Sequence, residues 1–430
     1  MRTQVRQPGF VAQARAPLSL YNLSAACATG AAVIFGYAIA RSYLIVAAAF
    51  AAVLVFYPSV ALGAAVLSAN LRTSLPGLPS GLTLPDVFLG LFLLGWLLES
   101  IASARVRVPP KWTTWLVAFL AWAWCSLLIA NADTEALALA RVTLYGLAFF
   151  GATNRHAARR VLLVVLGFGT LEAVVGLAGI TPRSGSRLLG TVGDPAQFGL
   201  LLLFALAAVP LVRWKHARWI AYTVVGFAVV STFTRAVWIG ALIEAVLLVA
   251  PRVTRRILSA IVIVSSVFVV AVALQGAATE RLDLNPSSLP LRQHSWAEGT
   301  QLIDASPITG YGWASGDALA PNAYNLWINV AVATGIVGAL LLAAFMLSMA
   351  RYLFRNRGDP LCFVGLTYLA GFMSVSLGEM TIYAAAPATV TLFVVMGLAV
   401  GSGMRSTGSH ADPLHAVDQT IVDARGNVSK

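Results

Sequence analysis

The sequence predicts an all-α, polytopic integral-membrane bundle of about 12–14 helices, closed by one large part-helical external loop. Three observations predict it. Hydrophobic residues make up 59% of the 430 residues and charged residues only 11%, against about 25% charged in soluble domains. Mean hydropathy is +0.81. Long apolar runs alternate with short basic turns from Leu18 to Met404, broken once by a polar stretch over about 275–325.

Taken in order, a short tail (1–18) precedes a transmembrane domain (19–404), and a polar tail (405–430) without hydrophobic period reads as disordered. Apolar runs predict helices near 19–40, 43–57, 58–70, 85–103, 113–130, 137–152, 161–180, 196–212, 218–234, 236–250, 257–274, 325–349, 361–378 and 386–404. The runs flanking Tyr57-Pro58 are shorter than the roughly 20 residues a span needs, so they read as half-spanning or re-entrant. The N-terminal run is too long for a signal-peptide core and is expected as an uncleaved first helix.

Charge orients the bundle. RVRVPPK (105–111), RHAARR (155–160), RWKHAR (213–218), PRVTRR (251–256) and RYLFRNR (351–357) each hold three Lys/Arg. The positive-inside rule puts these turns and both termini in the cytoplasm and the long loop outside. The net charge of +12 is thereby a topology signal, and nucleic acid is not an expected partner. Cys27, Cys125 and Cys362 lie in apolar segments without CxxC spacing, so neither a metal site nor a disulfide framework is expected.

Every cation left on the outer side is an arginine: Arg41, Arg72, Arg141, Arg183, Arg187, Arg235, Arg281 and Arg292. Guanidinium forks match phosphate oxygens bidentately, which points to a lipid-linked phosphate or diphosphate. Arg187, Arg235 and Arg292 sit at helix edges where they can converge, against the plainer reading of headgroup contacts or ion pairs with Asp194, Glu298 or Asp304. His294 is the only outer histidine; an incidental surface residue and a base are both open for it. Glu172 and Glu244 lie within spans, either as an ion path or, protonated, as helix–helix hydrogen-bonding groups.

Four segments together resemble the O-antigen ligase / O-antigen polymerase family of bacterial envelope glycosyltransferases. RLLGTVGDPAQFG is similar to its Arg-x-x-Gly segment before a span. TFTRAVWIG resembles its Ser-Arg-x-x-Trp-x-Gly helix start, with Thr234 for serine. RQHSWAEGTQLIDASPITGYGW resembles the external-loop pattern, and NLWINVAVATGIVG the helix that follows it. The resemblance implies transfer of an undecaprenyl-diphosphate-linked glycan to a glycan or lipid acceptor at the outer face of the bacterial cytoplasmic membrane, inverting, without metal or cofactor. It implies diphosphate binding by Arg187 and Arg235, with Arg292, Asn325 and Arg141 as further substrate contacts and Arg235 aiding catalysis. Where the family has His-Asn after the loop, this chain has Tyr324-Asn325, and tyrosine is a poor base at neutral pH. The open alternatives are that His294 or Asp194 substitutes for the histidine, that Tyr324 only positions substrate, that this member uses a different acceptor, or that the activity has been lost. Two other classes stay open: a lipid-linked oligosaccharide flippase or transporter, and a peptidoglycan glycosyltransferase of the shape, elongation, division and sporulation type.

Overall fold

The computed structural model describes residues 43–69, 83–103, 109–130, 136–155, 157–181, 183–184, 187–249, 288–313, 325–379, 382 and 387–408. Among the described residues the chain forms thirteen α-helices and one two-residue antiparallel strand pair. The helices are α1 (Tyr43–Phe56), α2 (Pro58–Ala69), α3 (Leu84–Ser103), α4 (Thr114–Ile129), α5 (Ala136–Thr153), α6 (Ala158–Leu177) and α7 (Pro195–Ala208). They continue as α8 (Lys215–Ser231), α9 (Arg235–Val249), α10 (Ser288–Ala305), α11 (Leu326–Arg355), α12 (Pro360–Ser376) and α13 (Pro387–Gly408).

Among the described residues six helices are long and apolar enough to cross a membrane, which makes this a multi-pass membrane protein. Pro58 removes a helical donor, and the α1–α2 pair bends by 117° there, in keeping with a broken or re-entrant segment. The expected helices 19–40 and 257–274 lie outside the described residues. The last helix runs through Gly408, four residues past the boundary expected at Met404.

The centre of the bundle is α13, whose apolar window is 94% buried. Gly397 and Gly401 let it press onto α5: a Cβ at either would strike the backbone carbonyls of Phe149 and Thr153. Small residues four apart are how helices approach closely where no hydrophobic effect drives them together.

The long loop is tied to the bundle through a break in α11. Gly335 (φ 70°, ψ 178°) interrupts that helix, which frees carbonyls of the preceding turn. In hydrocarbon each of those groups needs a partner. Tyr311 N–H donates to the Val332 carbonyl at 2.9 Å, the Ser126 hydroxyl to that of Ala333 at 3.0 Å, and the Trp122 indole to that of Thr334 at 2.8 Å. In return Ile336 N–H donates to the Pro307 carbonyl at 2.8 Å, and the Ser126 hydroxyl shares its one proton between the Ala333 and Thr309 carbonyls. The Pro307–Gly312 turn, with Gly310 and Gly312 at positive φ, therefore completes the broken helix. Trp313 is buried beside it against Phe119.

Candidate functional site

The candidate site forms where several helix ends meet on the side assigned outward by charge. The sequence GTVGDP folds as a tight entry to α7. Gly190 and Gly193 take positive φ, Asp194 caps the helix, and Pro195 opens it. The Asp194 carboxylate accepts from Ala196 N–H at 2.8 Å and Gln197 N–H at 2.9 Å. Glu172 of α6 holds the same entry segment, accepting from Thr191 N–H at 3.1 Å and its hydroxyl at 2.9 Å. Glu172 is thus a loop anchor, neither an isolated carboxyl in a path nor a helix–helix bridge. Arg187 stands exposed on the strand pair that leads into this turn.

Arg235 is the first residue of α9, reached by a sharp turn. Phe233 adopts φ 48°, a left-handed conformation that a bulky residue rarely takes. Trp238 closes the turn, its indole N–H lying 3.1 Å from the Val230 carbonyl and 3.2 Å from that of Val229. The tryptophan of the TRAVWIG segment is therefore structural, and its effect is to present Arg235 exposed at a helix start.

Arg292 and Asn325 converge on the turn after α12. Arg292 donates to the Gly378 carbonyl and, at 2.7 Å, to Glu379 Oε1; the two side chains are only 27% and 14% exposed. Asn325 caps α11 through Oδ1, accepting from Trp327 N–H at 2.9 Å and Ile328 N–H at 3.3 Å, while its Nδ2 donates to the Leu377 carbonyl at 2.9 Å. With its amide committed at both ends, Asn325 positions the helix start and leaves no amide oxygen for a ligand. A methyl on Gly378 would meet Ala236, next to Arg235, at 3.5 Å and Arg292 at 3.7 Å. One short turn is thus flanked by the α9 start, the α10 start and the α11 cap.

Glu379 is the residue the sequence reading missed. Burial lifts its carboxyl above the ordinary glutamate range; the adjacent Arg292 opposes that lift, Asp194 adds to it and Arg187 reduces it. Those couplings put Arg187, Asp194, Arg292 and Glu379 in one electrostatic cluster. Among the described residues neither Arg187 nor Arg235 has a side-chain ion pair, so two guanidinium groups remain available to an anion.

Other expected residues fall elsewhere. His294 is two positions from Arg292, about 200° around the helix, so it faces away from Glu379. It is 69% exposed and lies 2.9 Å from Glu298, one turn on. The structure does not bring it into the arginine cluster. Arg141 pairs with Asp86 at 3.0 Å, and Asp86 also accepts from Tyr145 at 3.1 Å and Thr83 at 2.7 Å. That buried network belongs to α3 and α5. Tyr324 lies outside the described residues. Glu244 is buried where α9 crosses α12, its carboxyl against Gly371.

Residues 220–343 match the family model described as O-antigen ligase. The matched region, less than a third of the chain, is similar to the O-antigen ligase family. It spans Arg235, Arg292, His294, Tyr324 and Asn325, whereas Arg187 and Glu379 lie on either side of it. At family level the match supports O-antigen ligase- or polymerase-like glycan transfer. No curated protein matches the chain.

Proposed function

We propose that this protein transfers or polymerises a glycan carried on undecaprenyl diphosphate, at the outer face of the bacterial cytoplasmic membrane, with both termini in the cytoplasm. The observation that carries the reading is the coupling of Arg292, Asp194 and Arg187 to one half-buried carboxylate, Glu379, in the turn that also neighbours the α9 start bearing Arg235. Arg187 and Arg235 bind the donor diphosphate and hold the charge that grows on it as it leaves. Arg292 contacts the donor from the loop side while orienting Glu379. Arg141, locked to Asp86, supports the outer ends of α3 and α5.

In the transfer step the acceptor hydroxyl attacks the anomeric carbon of the donor sugar from the face opposite the diphosphate. The new C–O bond forms as the bond to the diphosphate oxygen breaks, and that oxygen keeps the electron pair, which inverts the anomeric centre. Glu379 takes the hydroxyl proton, the task that falls to histidine in the family pattern and that Tyr324, with an ordinary pKa near 10, performs poorly at neutral pH. Tyr324 positions the substrate. No step is assigned to a metal or cofactor.

The test is lipid-linked glycan analysis in a deletion strain complemented with wild type, Arg235→Ala or Glu379→Gln. Loss of finished surface glycan, with donor accumulating on the outer leaflet and no rescue by Arg235→Ala, supports transfer. Accumulation on the inner leaflet would instead favour a flippase and overturn the proposal.

A further inference from the structure

A second site lies at the opposite end of the bundle, at the turn joining α7 to α8. Pro210, Arg213, Lys215, Arg218, Trp219 and Tyr222 line a cavity of about 400 Å³ with three cations and no acid. Its shape is set from within. Arg218 donates to the Val212 carbonyl through Nε at 3.1 Å and Nη2 at 2.6 Å, and Arg159 donates to the Leu211 carbonyl at 3.0 Å. These bonds satisfy the carbonyls at the end of α7 and hold the turn open. Arg213 and Lys215 have no ion pair among the described residues.

Two arginines of neighbouring basic turns have partners within the protein. Arg155 pairs with Glu99 at 2.7 Å, and Arg357 lies 4.1 Å over the Phe354 ring while donating to the Phe354 carbonyl. The three cations of the α7–α8 turn instead line one cavity together. Around it Trp214 is 79% exposed, Trp219 64% and Ile220 62%. Amphipathic rings of this kind sit at the level of lipid headgroups.

We propose that this cavity binds the phosphate headgroup of an anionic phospholipid of the cytoplasmic leaflet, with Arg213 and Lys215 contacting the phosphate and Trp214 and Trp219 packing beside the acyl-chain ends. Basic pockets between helices on the cytoplasmic side are suited to such headgroups. A lipid rather than free phosphate is indicated because the walls beside the cations are large, apolar and exposed.

The experiment is native mass spectrometry of the full-length protein in detergent, titrated with cardiolipin, phosphatidylglycerol or phosphatidylethanolamine, with inorganic phosphate as the lipid-free arm. Wild type should retain the anionic lipids preferentially. The double variant Arg213→Gln/Lys215→Gln should retain them about thirtyfold less well, which is about 2 kcal/mol at 1.4 kcal/mol per decade. The charge-keeping pair Arg213→Lys/Lys215→Arg should retain them, and Arg357→Gln should not differ from wild type. Equal retention of phosphatidylethanolamine, an equal loss in Arg357→Gln, or loss in the charge-keeping pair would overturn the proposal. Displacement of the lipid by millimolar phosphate would reassign the cavity to a soluble anion and equally overturn it.

Discussion

Replacing Glu379 by Gln tests the chemistry with little disturbance to the fold. Glutamine keeps the length and an acceptor oxygen for Arg292, so the 2.7 Å contact survives as a hydrogen bond while the proton acceptor is lost. A general base contributes roughly 10²–10⁴-fold, about 2.7–5.4 kcal/mol of barrier. The structural cost is smaller. The pair is partly buried, so weakening it falls between the 0–1 kcal/mol of surface pairs and the 3–5 kcal/mol of fully buried ones, and glutamine keeps part of it. Transfer from a purified lipid-linked donor in reconstituted membranes should therefore drop at least a hundredfold at saturating donor, while the melting temperature moves by only a few degrees. The wild-type rate should rise with pH through the raised Glu379 pKa, because the base must be deprotonated. Arg292→Ala removes the group that opposes this rise, so its acid limb should move to higher pH. Near-wild-type turnover by Glu379→Gln, or an unshifted acid limb in Arg292→Ala, would leave Glu379 as a strut and refute the assignment.

Arg187→Ala and Arg235→Ala should each slow transfer about 10²–10³-fold, with Arg235→Lys recovering only part because it loses the bidentate fork; single-turnover kinetics on the purified enzyme would read this. His294→Ala should leave both rate and melting temperature essentially unchanged, since the imidazole meets only Glu298 at the surface. Gly335→Ala should destabilise by at least about 1–3 kcal/mol, from the positive φ and from a Cβ driven into the Ile308 carbonyl, and should appear as lower expression and melting temperature. Asp86→Ala should cost several kcal/mol by stranding buried Arg141, with thermal stability lost before donor affinity. A selective loss of donor affinity there would return Arg141 to the substrate site.

Helix positions were legible because each apolar run has to bury its own backbone hydrogen bonds in lipid, and the turns between runs are marked by Pro, Gly and charge. Asp194-Pro195 and Asp359-Pro360 both open helices as capping chemistry requires. The site was only half legible. Arg187, Arg235 and Arg292 stand out as cations on the side that the charge pattern assigns outward, where cations are scarce. Glu379 carries no comparable mark: it is one acid in a short turn, and its weight comes from its ion pair with Arg292 and its electrostatic coupling to Asp194 and Arg187. For His294 a signal was present, since Glu298 follows at the i,i+4 spacing of a surface pair. Its nearness to Arg292 in sequence concealed that the two side chains leave the helix on different faces.

The joint between the Pro307–Gly312 turn and the break in α11 bears on how such enzymes exchange substrate preferences. Because Trp122 and Ser126 of α4 supply donors to the same joint, the loop cannot be transplanted alone. A chimera that imports a relative's loop without its matching α4 and α11 residues strands carbonyls in hydrocarbon and fails as a folding problem, whatever its chemistry. Swaps that leave residues 307–312 in place keep the joint whole, and changes of specificity made within those limits can be engineered or inherited separately from the membrane scaffold.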